Sequence, residues 1–122
     1  MESKDYIQRE IDRLAKALAL LIGIVINKSL DDNEAKKKLD ANFEHLIGIS
    51  IISNEDKLLQ YLLLKRVSLN DIEKLAIFFY HYGNRFPSNP NPFFYKAKFL
   101  ADYLIKNQSA ASYELSLLIS NI

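Results

Sequence analysis

The two histidines are the first candidates for chemistry, because an imidazole can act as a general base near neutral pH or bind a metal ion. His45 follows Glu44 in one segment, and His81 lies between two tyrosines in another. Neither belongs to an H-E-x-x-H motif or to another pair at ligand spacing, and the chain has no cysteine. We therefore interpret both histidines as surface or boundary residues and expect no metal site and no cofactor.

Motifs that bind phosphate or build a nucleophile elbow need clustered glycines, and the three glycines of this chain stand far apart. The run Lys36–Lys38 is flanked by Glu34 and Asp40, which indicates a solvated helix face. Sixteen basic against 15 acidic residues give a net charge of +1, which argues against nucleic-acid binding. These observations favour a protein that is not an enzyme and binds no nucleic acid.

The longest uncharged apolar run is Ala17–Ile26, which covers ten residues. A helix that crosses a membrane needs about 20 such residues. The residues before this run mix acids with bases, unlike the start of a secretory signal peptide. Because the absence of cysteine is also compatible with a reducing compartment, we expect a cytoplasmic protein with no membrane span.

Aromatic residues give the strongest indication of a functional surface. Ten of the 14 aromatic residues lie between Phe78 and Tyr103, too many for all of them to face one core. Tyrosine joins an apolar ring to a hydroxyl group, a combination favoured at protein interfaces. We predict a partner-binding face that includes Phe78, Tyr82, Tyr95 and Tyr103, unless the neighbouring loop and the last helix cover these rings.

A second interpretation places a pocket under the proline-rich loop, residues 84–92, which contains all three prolines. His81, Tyr82 and Arg85 would then supply polar groups to a small ligand. In that case the chain would be a small-ligand-binding protein or an enzyme without a recognised motif.

The composition indicates that helices position all of these side chains. The chain has 19 Leu and 14 Ile but two Val and no Thr, whereas a β-sandwich or barrel usually carries Val, Thr and several tight turns. Apolar spacing and cap residues predict six helices, the fifth of which, from Pro92 to Asn107, is apolar over most of its circumference and is expected to be the central one. We predict one all-α domain over residues 1–122, with a long N-terminal helix over 4–27 and helical hairpins over 31–122. Stacked antiparallel hairpins are the favoured arrangement, and a six-helix orthogonal bundle is the alternative.

The end of the first helix suggests a second surface. Its stripe of Ile7, Ile11, Leu14, Leu18, Leu21 and Val25 faces one way, but the last two turns are apolar nearly all round. Another apolar surface must therefore pack on Leu20, Gly23 and Ile24 to remove them from water. We predict that they mediate self-association, giving a possible homodimer.

The segment that starts Asp5-Tyr-Ile-Gln-Arg-Glu-Ile and continues to Leu14 resembles the start of a family of small bacterial α-helical proteins of uncharacterised function. In that family a helix of the form D-Y-I-x-R-x-I-x-x-L is followed by helical hairpins of the tetratricopeptide type. The spacing of Phe94, Ala97, Ala101 and Leu104 approximates the second helix of such a repeat, and Leu75 and Phe79 fit the first. The resemblance implies a tetratricopeptide-like fold and a role as a protein–protein interaction or adaptor module, with no activity to carry over.

Overall fold

The chain folds into six α-helices. The structure is a computed structural model, and it describes residues 2–107 and 113–122, with the side chains of 9, 12–107 and 114–122. The prediction of an all-α fold with six helices is confirmed for this part of the chain, which contains no strand. The side chains of Ile7 and Ile11, from the predicted stripe, lie outside the described residues. The helices are α1 (Glu2–Ile26), α2 (Asp32–Ile47), α3 (Glu55–Leu64), α4 (Leu69–Arg85), α5 (Pro92–Lys106) and α6 (Tyr113–Ser120).

Short polar side chains begin α2, α3, α4 and α5, the last of these at Asn91. Each accepts a hydrogen bond from a backbone amide of the first turn, which would otherwise have no partner inside the helix. Asp31 accepts from the amide of Glu34 at 2.8 Å and begins α2. Asn54 and Ser68 act in the same way at the starts of α3 and α4. Asp31, Asn54 and Ser68 are therefore the N-caps of α2, α3 and α4.

Gly48 ends α2 in a conformation that suits glycine. Its φ of 97° lies in the left-handed region, and its amide donates to the carbonyl of Glu44. The Tyr61 hydroxyl donates to the carbonyl of Ile47 at 2.7 Å and occupies the space where a Cβ of residue 48 would lie. The end of α2 and the last turns of α3 therefore meet at a position that has room only for hydrogen.

We expect Gly48→Ala to lower the free energy of unfolding by about 2 kcal/mol, because it strains the backbone and displaces the Tyr61 hydroxyl. Urea unfolding followed by circular dichroism at 222 nm measures the effect. Tyr61→Phe is the comparison variant, because it removes the hydroxyl that bonds to Ile47 without placing a Cβ at residue 48, and it should cost only about 1 kcal/mol. Equal stability of the two variants would contradict the role assigned to Gly48.

The central helix is α4, and the prediction that the fifth helix is central is wrong. Helix α4 packs against α1, α5 and α6, and nine of its residues are buried, compared with five in α5. Ile77 and Phe78, on the side of α4 that would otherwise be exposed, are buried for this reason. The apolar circumference of α5 is instead partly open, since Tyr95 and Ile105 are exposed.

Helices α1 and α2 pack against each other, as do α4 and α5, and the contact between α1 and α4 joins the two pairs. Helix α3 makes its main helix contact with α5, and α6 packs on α4 and α5. The chain thus contains two helix pairs of neighbours in sequence, while α3 crosses to a partner further along the chain.

Arg85, the last residue of α4, holds the end of α1. Its guanidinium donates to the carbonyls of Ile24, Val25 and Asn27 at 3.0 to 3.2 Å, and also to that of Leu30. Its Nε donates to the Asp32 carboxylate at 3.1 Å. The carbonyls at the end of a helix have no partner inside it, so Arg85 acts as a cap from a distant part of the chain.

Asn91 connects the end of α4 to the start of α5. Its side-chain amide donates to the carbonyl of Gly83 at 2.9 Å, and its Oδ1 accepts from the amides of Phe93 and Phe94. A Cβ at Gly83 would lie 2.8 Å from Cδ1 of Phe94, so the two helices approach closely here. The residues between the helices, Pro87–Pro90, are exposed.

Candidate functional site

The four aromatic residues predicted to form a partner-binding face do not share one surface. Phe78 is 0% exposed and Tyr82 is 1% exposed, so neither is open to a partner, and this part of the prediction is wrong. The physical reason is the central position of α4, because neighbouring helices cover the sides of α4 that carry Phe78 and Tyr82. Tyr95 is 58% exposed and Tyr103 is partly buried, both on α5.

The aromatic residues form a packed network in the core. Phe78 lies between Phe43 of α2 and Phe79, with ring centroids 5.6 and 5.5 Å apart. Tyr82 contacts Phe93 of α5 at 4.3 Å between centroids. These separations are typical of stabilising aromatic pairs. The concentration of aromatic residues in this stretch therefore serves to join α2, α4 and α5.

The hydroxyl of Tyr82 reaches polar partners at the edge of this network. It donates to Asp40 at 2.8 Å and accepts from Lys36 Nζ at 2.9 Å, while Lys36 and Asp40 lie 3.6 Å apart. Burial raises the pKa of the Tyr82 phenol, and the hydrogen bond to Tyr82 raises the pKa of Lys36. Lys36, Lys37 and Lys38 are all exposed, as expected for a solvated helix face, and Lys36 also contacts Tyr82 from that face.

Two of the three polar side chains assigned to the predicted pocket under residues 84–92 bind other parts of the protein instead. The Tyr82 hydroxyl is engaged by Lys36 and Asp40, and the Arg85 guanidinium is engaged by α1 and Asp32. His81 is partly buried, and burial lowers its pKa while the charge of Glu114 partly opposes this change. The three side chains therefore do not converge on a common open space.

The self-association residues lie on the outer side of α1. Leu20 and Ile26 are each 52% exposed, Gly23 is exposed, and Ile24 is partly buried. The opposite side of the helix, with Leu18, Leu21 and Val25, is buried against α2 and α4. We call the exposed residues Ala19, Leu20, Gly23 and Ile26 the α1 strip.

Sequence reasoning missed a cavity of about 450 Å³ beside the middle of α1. It lies where α1, the ends of α2 and α3, and the start of α4 meet. Its lining includes leucine side chains as well as charged ones. Residues from four separate elements form it, so no local spacing in the sequence could have indicated it.

Lys96 is the second feature that the sequence did not indicate. It lies on α5, is buried, and places its ammonium group 4.9 Å from the centroid of the Phe93 ring. Burial lowers its pKa, and the charge of Glu55 on α3 partly opposes this change. Lys96 therefore holds its ammonium group against a ring of its own helix, while the charge of Glu55 on α3 acts on it across the helix contact.

Within the described ranges, no three metal-ligating side chains lie close enough together to hold an ion. Among the same residues, no helix has both the length and the apolar character needed to cross a membrane. Comparisons of the chain with family models, with curated proteins and with solved structures gave no match. The resemblance to a tetratricopeptide-like bacterial family thus stays a prediction.

Proposed function

We propose that this chain is a non-enzymatic protein–protein interaction module of tetratricopeptide-like type, and that it pairs with a second copy of itself through the α1 strip. The observation that carries the proposal is the exposure of Leu20 and Ile26 on a helix whose other side is buried. Large apolar side chains grouped on one exposed helix face are typical of interaction sites.

A second copy is the occupant that the strip fits best. The strip combines large and small residues at helical spacing, with Leu20 beside Ala19 and Gly23. In a twofold-symmetric pair the same patch meets itself, so Leu20 of one copy can fill the space above Gly23 of the other. A net charge of +1 gives little repulsion between copies.

We expect the wild-type protein to be a dimer in light scattering coupled to size-exclusion chromatography, and Leu20→Glu to convert it to a monomer. The glutamate would place a charge in the apolar centre of the contact, while the half-exposed position leaves the monomer folded. Circular dichroism of the variant checks that its helices are retained.

Ile105→Glu is the matched control, because Ile105 is an exposed isoleucine on α5, outside the strip, and receives the same charge. The dimer should persist in this control. A wild-type monomer at all concentrations, or a dimer that only Ile105→Glu disrupts, would contradict the proposal.

A further inference from the structure

The cavity between α1, α2, α3 and α4 has the size of a small-molecule site. Its volume of about 450 Å³ lies within the range of roughly 300–1,000 Å³ that is typical for ligand pockets. Leu14 of α1 and Leu46 of α2 give it apolar walls. The cavity shares no residue with the α1 strip, so its function is separate from self-association.

Basic residues surround one part of the cavity. Lys65 and Arg66 follow α3 and are exposed, and Arg13 of α1 also lines the space. The exposed cations Lys65 and Arg66 give this rim of the cavity a positive charge. A carboxylate group of a ligand would be attracted to this rim.

The acidic lining residue, Asp71, is buried to 3% exposure. Its amide donates to Ser68, but its carboxylate has no hydrogen-bond or ion-pair partner among the described residues. No fully enclosed side-chain oxygen in this part of the chain lacks a partner, so the carboxylate keeps its remaining exposed surface toward the cavity.

Asp71 lies at a favourable position for an acidic side chain, but no donor from the described residues reaches its carboxyl group. It lies in the first turn of α4, where the helix dipole favours a carboxylate. A carboxylate this deeply buried is still stabilised strongly by a donor that binds its oxygens. A ligand ammonium group would supply that donor.

We propose that the cavity binds a small zwitterion with an apolar side chain, either a free apolar amino acid or an apolar dipeptide. Its ammonium group lies at Asp71, its carboxylate at the rim of Lys65 and Arg66, and its side chain against Leu14 and Leu46. Each part of this ligand matches one part of the cavity wall.

Isothermal titration calorimetry with L-leucine, 4-methylpentanoate and 3-methylbutylamine tests the proposal, since the two analogues lack the ammonium and the carboxylate group respectively. We expect leucine to bind at least about tenfold more tightly than either analogue, because each loses a charged hydrogen bond. Leucyl-leucine is the fourth ligand. Tighter binding of this dipeptide identifies a peptide ligand, and weaker binding identifies a free amino acid.

Two variants test which side chain binds the ammonium group of the ligand and which binds its carboxylate. Asp71→Asn should remove the preference for leucine over 4-methylpentanoate. Arg66→Asn should reduce the preference for leucine over the amine by about tenfold. Arg66 has a left-handed backbone conformation with a φ of 55°, which asparagine tolerates, so Arg66→Asn should keep the backbone of the wild type. This variant therefore tests the proposal even if Asp71→Asn fails to fold.

Lys37→Asn removes a positive charge from an exposed position of α2 that does not line the cavity, and it should leave binding unchanged. The proposal is overturned if neither leucine nor leucyl-leucine binds. It is also overturned if wild-type protein binds 4-methylpentanoate as tightly as leucine, or if the preference for leucine over 3-methylbutylamine survives Arg66→Asn.

Discussion

Replacing Phe78 by alanine should lower the free energy of unfolding by about 4 kcal/mol. The ring is fully buried and contacts Phe43, Phe79 and Tyr82, so its removal leaves a cavity that three rings line. Urea unfolding followed by circular dichroism measures the loss. If the domain is too unstable to purify, Phe78→Leu should give a smaller loss in the same direction.

Tyr95→Ala is the control for this experiment, because both residues were predicted from sequence to belong to one partner-binding face. Tyr95 is largely exposed, and its replacement should change the stability by less than about 0.5 kcal/mol. A small effect at Phe78, or a large effect at Tyr95, would contradict the packing described above.

Arg85→Ala should be the second most damaging substitution, with an expected loss of about 3 kcal/mol. The guanidinium group satisfies four backbone carbonyls at the end of α1 and in the following turn. Its side chain is 13% exposed, so water replaces these hydrogen bonds poorly. Thermal and urea unfolding both measure the effect.

Two further substitutions separate the carbonyl contacts from the ion pair. Asp32→Asn should cost less than about 1 kcal/mol, because this carboxylate is 73% exposed. Arg85→Lys keeps the positive charge but lacks the planar set of donors, so it should recover little of the lost stability. If Arg85→Lys matched the wild type, charge rather than hydrogen-bond geometry would hold the end of α1.

The helix ends were predictable because their signals are local. Asp31, Ser68 and Gly48 act on amides or carbonyls within four residues, and their types alone indicate where a helix begins or ends. Pro92 lies in the first turn of α5 for the same reason, since proline lacks the amide that a helix start leaves unpaired.

The position of α4 at the centre was not predictable in the same way. Its sequence begins with polar residues and resembles a helix with one exposed side, yet α1, α5 and α6 cover it. The contacts of Arg85 with α1 and of Tyr82 with Asp40 join residues more than 40 positions apart. Neither the spacing of residues nor the composition indicates such contacts, because the contacts depend on how the helices are arranged in space.

The α1 strip and the cavity differ in how far the sequence could indicate them. The α1 strip follows from one helix, so the excess of apolar residues at its end could indicate it from sequence. The cavity at Asp71 depends on four elements that meet only in the folded chain. From the sequence alone, Asp71 is recognisable only as an acidic residue in the first turn of a helix.

The contacts of Asn91 have a practical consequence for experiments on the living cell. Because the Asn91 side chain joins the last turn of α4 to the first turn of α5, the connection between these turns does not depend on the exposed residues Pro87–Pro90 alone. Exposed loop tips of this kind accept inserted sequence. A short epitope or a fluorogenic tag placed there would report where the protein resides while leaving the α1 strip and the cavity free.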